Sequence, residues 1–148
     1  MISQRAKYAF RALVALAAAG DEGRSLTIPV IAEEQRIPRK FLELILLDLK
    51  RRGLLASRRG RDGGYSLLRP ADQITFGEVL RAIDGPVAPL PCLSRTAYRR
   101  CVDCEGERDC QIRRVFARVA EADRAVLDHT TIADALREPA GPVTDSAV

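Results

Sequence analysis

The sequence predicts a mainly α fold with a small β-hairpin wing: a winged helix-turn-helix domain followed by a long C-terminal helix. Three observations predict it. Two short amphipathic segments are joined by three or four residues, a glycine-rich hairpin follows them, and an apolar stripe at helical spacing runs on from about Asp109.

Ser3 is placed to cap a first helix over about Gln4 to Ala19, in which Tyr8 or Ala9, Ala12, Leu13, Leu16 and Ala17 recur at helical spacing until Gly20 to Gly23 breaks the pattern. A short second helix is expected from Thr27 or Ile28 to Glu34, with Thr27 as N-cap and Pro29 confined to the first turn. After Gln35-Arg36-Ile37, Pro38 is expected at the first helical position of a third helix. Its apolar stripe is Phe41, Leu42, Ile45, Leu46 and Leu49, and it stops at Gly53. Leu54 to Arg58 and Tyr65 to Leu68 read as strands around Arg59-Gly60-Arg61-Asp62-Gly63-Gly64. Thr75 and Glu78 have capping-box spacing at the start of a fourth helix carrying Phe76, Val79, Leu80 and Ile83, which ends at Gly85-Pro86. Pro86, Pro89 and Pro91 stiffen the connection to a cysteine-bearing loop. Beyond it Ile112, Val115, Phe116, Val119, Ala122 and Val126 mark a long helix whose stripe needs a partner. From about Glu138 the chain loses periodicity and reads as a disordered tail.

At 148 residues, 47% hydrophobic and 30% charged, the composition is that of one principal folded domain with an appendage. Its most apolar segment, Ala12 to Ala19, is far short of a membrane span and is flanked by Arg11 and Asp21, so no membrane association and a cytoplasmic location are expected. Charge is divided unevenly. Residues 1–70 carry 14 Lys or Arg against 7 Asp or Glu, whereas the remainder carries 10 against 13, so the net +4 conceals a basic N-terminal module joined to a mildly acidic one. That division suggests a polyanion-binding module joined to a different one, and with the helix-turn-helix and wing order double-stranded DNA is the expected partner of the first half.

Within the basic half, Arg39 and Lys40 open the recognition helix and Glu43 follows one turn on; arginine or lysine there reads guanine, and a carboxylate accepts from a cytosine amino group. At the hairpin, Arg58, Arg59 and Arg61 crowd around glycines that admit close backbone approach, and a narrow minor groove attracts arginine. Lys50, with Arg51 and Arg52, suits phosphate contact or a C-terminal charge cap. With Thr27 and Phe41 these make the candidate DNA-contacting set. A solvated helix start and a bland basic turn are the alternatives.

Four cysteines, Cys92, Cys101, Cys104 and Cys110, fall within 19 residues at spacing C-x8-C-x2-C-x5-C, and the other 129 positions have none. In a reducing compartment such clustering favours a metal, an iron-sulfur cluster or a thiol switch over disulfides, and the spacing suits zinc or iron-sulfur equally. The lone histidine, His129, is read as a surface residue. No nucleophile-base pair or phosphate loop points to an enzyme.

Lys7-Tyr8-Ala9, Ile31-Ala32-Glu33-Glu34, Phe41-Leu42-Glu43, the wing from Arg59 to Tyr65, and Ile83-Asp84-Gly85-Pro86 before the cysteines together resemble the Rrf2 family of winged-helix regulators, the group containing IscR, NsrR and RirA, over about residues 1 to 137. The resemblance implies a homodimer with crossed C-terminal dimerisation helices, acting as a repressor at a pseudo-palindromic operator. It also implies a cysteine loop that holds an iron-sulfur cluster near the partner's DNA-binding domain. The family's three cysteines map onto Cys92, Cys104 and Cys110, which leaves Cys101 as an extra. Where members complete the site with a histidine or an acidic side chain, this chain has Arg113 and Lys7, so Cys101 is the candidate fourth ligand, with [2Fe-2S] expected over [4Fe-4S] and zinc as the alternative. The expected divisions are a DNA-binding domain at 1–86, a cluster-binding loop at 87–110, the dimerisation helix and C-terminal segment at 111–137, and the tail at 138–148. Two other readings stand beside this one: structural zinc or a thiol switch at the same cysteines, and a non-DNA interaction or cluster-carrier module.

Overall fold

The computed structural model describes residues 2–138, so all of the expected tail but its first residue lies outside the described residues. The chain forms α1 (Gln4–Asp21), α2 (Ile28–Gln35), α3 (Arg39–Arg51), the strands β1 (Leu55–Arg58) and β2 (Gly64–Leu67), α4 (Phe76–Asp84), α5 (Gln111–Leu127) and α6 (Ile132–Arg137). Single 3₁₀ turns at Ala71–Gln73 and Pro91–Leu93 lie in the connections.

Helix α1 starts where expected, because the Ser3 hydroxyl accepts from the Ala6 N–H at 3.0 Å. The Ser3 N–H also donates to Asp84 at 2.9 Å, which pins the start of α1 to the end of α4. Ala9, Ala12, Leu13, Leu16 and Ala17 are buried; the alanines let neighbouring elements approach closely, and Leu13 and Leu16 fill the core between them. Leu42, Ile45, Leu46 and Leu49 of α3, Ile31 of α2 and Val79 of α4 join them in the core. Each fully buried Leu or Ile contributes about 1.5–3 kcal/mol by leaving water. Phe10 of α1 stacks on Phe76 of α4, with ring centroids 4.5 Å apart.

Three terminus details differ from expectation. Thr27 occupies the N-cap of α2 without making a side-chain cap bond; Pro29, at the second helical position, lacks one of the two N–H groups such a cap would use. Pro38 is the N-cap of α3, not its first residue, since its ψ of 127° is extended. At α4 the Thr75 hydroxyl accepts from the Glu78 N–H at 3.2 Å, but the Glu78 carboxylate turns instead to Arg69 at 2.5 Å, so only half of the capping box forms. Phe41 also leaves the core stripe: it is 52% exposed and packs edge-on against Tyr8.

The hairpin is antiparallel, with Leu55 opposite Leu67 and Arg58 opposite Gly64. A further rung ties it to the segment before α2, through Leu26 N–H to Tyr65 O at 3.0 Å and Tyr65 N–H to Leu26 O at 2.7 Å. Gly64 makes that rung possible: its φ is +136°, and a Cβ there would lie 2.6 Å from the Leu26 oxygen.

The long helix expected from Asp109 ends at Leu127, and the chain then turns back. Ile132 N–H donates to Ile74 O at 2.9 Å and Phe76 N–H to Thr130 O at 2.9 Å, so α6 returns to the core beside α1 with Ile132 buried. Helix α5 presents two faces. Ala120 is buried toward α4, while Ile112, Val115, Phe116, Val119 and Val126 form an exposed apolar stripe, with Ile112 and Val126 each 63% exposed. Among the described residues no helix is long and apolar enough to cross a membrane.

Candidate nucleic-acid interface and cysteine loop

Burial of Leu42, Ile45, Leu46 and Leu49 turns the opposite side of α3 outward, and Arg39, Lys40, Phe41 and Glu43 are all exposed there. Helical spacing aligns Lys40, Glu43, Leu44 and Leu47 on one face. Leu44 was missed from sequence, yet at 63% exposed it stands in the middle of that face, beside Glu43. The signal was its position just outside the core stripe: an apolar residue on a face with no intrachain partner suits contact with thymine methyl groups. Thr27 is exposed at the head of α2, and its hydroxyl is not spent on capping.

The wing carries its arginines at the tip. Arg58, Arg59 and Arg61 are exposed, and the turn closes through Gly63 N–H to Gly60 O at 3.0 Å. Lys50 joins the two basic elements, its ammonium donating to Ser57 Oγ of β1 at 2.6 Å. That contact ties the C-terminal end of α3 to the hairpin, and the exposed cations of the two elements suit the phosphate backbone of a duplex.

Cys92 lies in the 91–93 turn and is only 7% exposed. Cys101, Cys104 and Cys110 are half-buried and adjacent: the Cys104 thiol exchanges hydrogen bonds with both of the others, and these raise its pKa to about 12. Cys110 is the N-cap of α5. Its sulfur accepts from the Arg113 N–H at 3.4 Å, and that bond pulls its pKa down, with the hydrogen bond from Cys104 and the Ile112 N–H acting in the same direction against partial burial. The loop is braced by the Tyr98 hydroxyl, which donates to Glu107 at 2.5 Å; that bond raises the Tyr98 pKa. Arg113, 3.5 Å from the other Glu107 oxygen, and Arg99 N–H to Pro91 O at 3.1 Å complete the bracing.

Among the described residues no three Cys, His, Asp or Glu side chains converge on one point as a ready-made metal cage. The thiols of Cys101, Cys104 and Cys110 instead form a hydrogen-bonded row, of which Cys92 is not a part. As donors all four suit a soft metal or an iron-sulfur group. All four therefore fit such a group by the chemistry of their sulfur donors, while Cys101, Cys104 and Cys110 are neighbours that do not yet surround a common point. His129 is exposed at the end of α5, its Nδ1 3.1 Å from Ala125 O.

A family model described as Rrf2, iron-dependent transcriptional regulator, matches residues 2–138. The chain belongs to the Rrf2 family. An Rrf2 relative from Rhodobacter capsulatus, named as an rrf2-like HTH-type transcriptional regulator, is 50% identical over 138 residues covering 92% of each chain. Two solved Rrf2 structures share the architecture. CymR, titled the global cysteine regulator of B. subtilis, superposes with a TM-score of 0.76 at 28% identity over 93% of this chain and 96% of its own. IscR of T. potens gives 0.70 at 26% identity, over 93% and 86%. The Rrf2 winged helix and its relatives make this protein a DNA-binding transcriptional regulator and not an enzyme.

Proposed function

We propose that the protein is a cytoplasmic, homodimeric repressor that binds a pseudo-palindromic operator and whose affinity is set by an iron-sulfur cluster held on the cysteine loop. The observation that carries this reading is the thiol row of Cys101, Cys104 and Cys110 at the N-terminus of α5, the helix that joins the DNA-reading half to the exposed apolar stripe. Residues 1–86 serve as the reader, 87–110 as the sensing loop and 111–137 as the dimerising segment. Arg39, Lys40 and Glu43 read bases with Phe41 beside them, Thr27 and Lys50 hold phosphates, and Arg58, Arg59 and Arg61 enter the minor groove. Cys101, Cys104 and Cys110 ligate, with Cys92 as the fourth donor when the 91–93 turn opens. A bound [2Fe-2S] cluster would supply a charge that changes with oxidation state and a crosslink that is lost with iron. Half-sites of a dimeric reader lie about 34 Å apart, so a small rotation of α5 changes affinity substantially.

A second reading, a thiol switch at the same residues, is favoured by the absence of a preformed cage among the described residues and by likeness to a cysteine regulator.

Anaerobic purification followed by visible absorption, iron, sulfide and zinc analysis, and binding of holo and apo forms to genomic fragments tests both. The expected result is a coloured protein containing equal iron and sulfide whose two forms differ in DNA affinity. Arg59→Ala with Arg61→Ala should weaken binding about tenfold or more and lower the salt dependence by about two charges. A colourless zinc protein indifferent to iron and oxidants would end the sensing hypothesis.

A further inference from the structure

On its inner face α5 leaves a cavity of about 230 Å³ where it meets α4 and the loop that follows α4. Val87, Ala120 and Leu127 form its apolar wall. The volume falls below the roughly 300–1,000 Å³ of sites for drug-sized ligands, which selects a much smaller molecule.

The polar lining is of mixed sign. Arg81 of α4 is paired with Asp128 at the C-cap of α5, 2.7 Å away, and these two charges satisfy each other. Arg95 and Arg124 bring further positive charge; Arg124 meets Glu121 only at 3.8 Å, so its guanidinium has donors to spare. Asp123 adds a carboxylate, and the buried Ser94 a hydroxyl whose oxygen already accepts from the Ala97 N–H at 3.0 Å. Guanidinium groups recognise a carboxylate in a forked geometry, and a nearby aspartate recognises an ammonium group.

We propose that this cavity is an effector site for a small α-amino acid, with its carboxylate on Arg95 and Arg124, its ammonium on Asp123 and its side chain against Ala120 and Leu127. The occupant bridges the loop and α5 beside the Arg81–Asp128 pair that joins α5 to α4. Occupancy therefore stiffens the junction between the DNA reader and the dimerising helix. The effect on DNA affinity rests on the regulator reading above; ligand binding itself does not.

Calorimetric titration of the full chain without DNA, with L-serine, succinate and ethanolamine as separate probes, tests the site. L-serine should bind, and the two probes that carry one kind of charge should bind at least about tenfold more weakly. Arg124→Gln and Asp123→Asn should each weaken L-serine about tenfold or more, since each removes a charge-assisted hydrogen bond. Arg114→Gln, on the same helix but outside the cavity, should leave binding unchanged. Absence of binding by all three probes at millimolar concentration would overturn the site. Succinate binding as tightly as L-serine, and indifferent to Asp123→Asn, would overturn the amino-acid assignment. L-serine that binds yet leaves affinity for DNA fragments unchanged would overturn the coupling. Failure of those fragments to bind at all while L-serine binds would instead overturn the regulator reading.

Discussion

The cysteines show what spacing tells and what it omits. Clustering of Cys92, Cys101, Cys104 and Cys110 was legible in the sequence, but which thiols become neighbours was not, because that depends on the Tyr98–Glu107 and Arg113–Glu107 contacts that fold the loop. These contacts leave Cys110 at a helix N-terminus, facing backbone N–H groups, and Cys104 between two other thiols. A lowered pKa increases the thiolate fraction at neutral pH, whereas a thiol whose pKa is about 12 stays protonated far above it. In reduced, metal-free protein near pH 7.5, iodoacetamide should therefore label Cys110 well before Cys104, as peptide mass mapping would show. Equal rates at the two positions would mean that the row does not persist in solution. The place of Arg58, Arg59 and Arg61 at the hairpin tip was legible because a basic, glycine-rich turn has local meaning. Leu44 was not, since a single outward leucine carries no signal until the core stripe beside it is placed.

Among the elements, α1 to α4 and the hairpin were readable because each has its own period, cap or turn chemistry within one window. Helix α6 was not. Its six residues are too few to show a period, and its position depends on the pairing of Ile74 with Ile132, which no local pattern reveals. The Thr131-x-x-Asp134 capping box was the available clue: Thr131 N–H donates to the Asp134 carboxylate at 2.8 Å, and Asp134 N–H to the Thr131 hydroxyl at 3.1 Å. The joint between α4 and α5 was equally hidden, since it rests on the space at Gly77. A Cβ there would fall 2.0 Å from Asp128 Oδ1, which must then swing away from Arg81. Two opposing magnitudes decide the outcome of Gly77→Ala. Alanine gains about 1 kcal/mol of helix propensity over glycine, and a half-exposed ion pair is worth about 0.2–1 kcal/mol. The substitution should accordingly leave chemical-denaturation stability within about 1 kcal/mol while separating Asp128 from Arg81. A loss above about 2 kcal/mol would show that Asp128 has nowhere to go and that the joint is rigid.

For the whole molecule, the governing fact is that α5 has one face committed to its own chain and one committed to nothing within it. Ala120 faces inward, while Ile112, Val115, Phe116, Val119 and Val126 leave a continuous apolar stripe in water, more than an isolated soluble helix ordinarily exposes. In the proposed homodimer a second copy of the chain would resolve this, because two such stripes crossing each other would cover both and place the two basic readers side by side. Phe116 lies near the middle of the stripe, so Phe116→Glu sets an unpaired carboxylate in each half of a symmetric interface. At about 1–3 kcal/mol for each of the two buried, unsatisfied polar groups, dimerisation should weaken by about 30-fold or more. Sedimentation at micromolar concentration should then show monomer, with the circular dichroism of the fold retained because Phe116 supports nothing in its own core. Affinity for a DNA fragment bearing two half-sites should fall with it, since each reader now binds alone. If Phe116→Glu sediments like the parent chain, the stripe is not the dimer interface, and the joint movement of paired readers loses its structural basis.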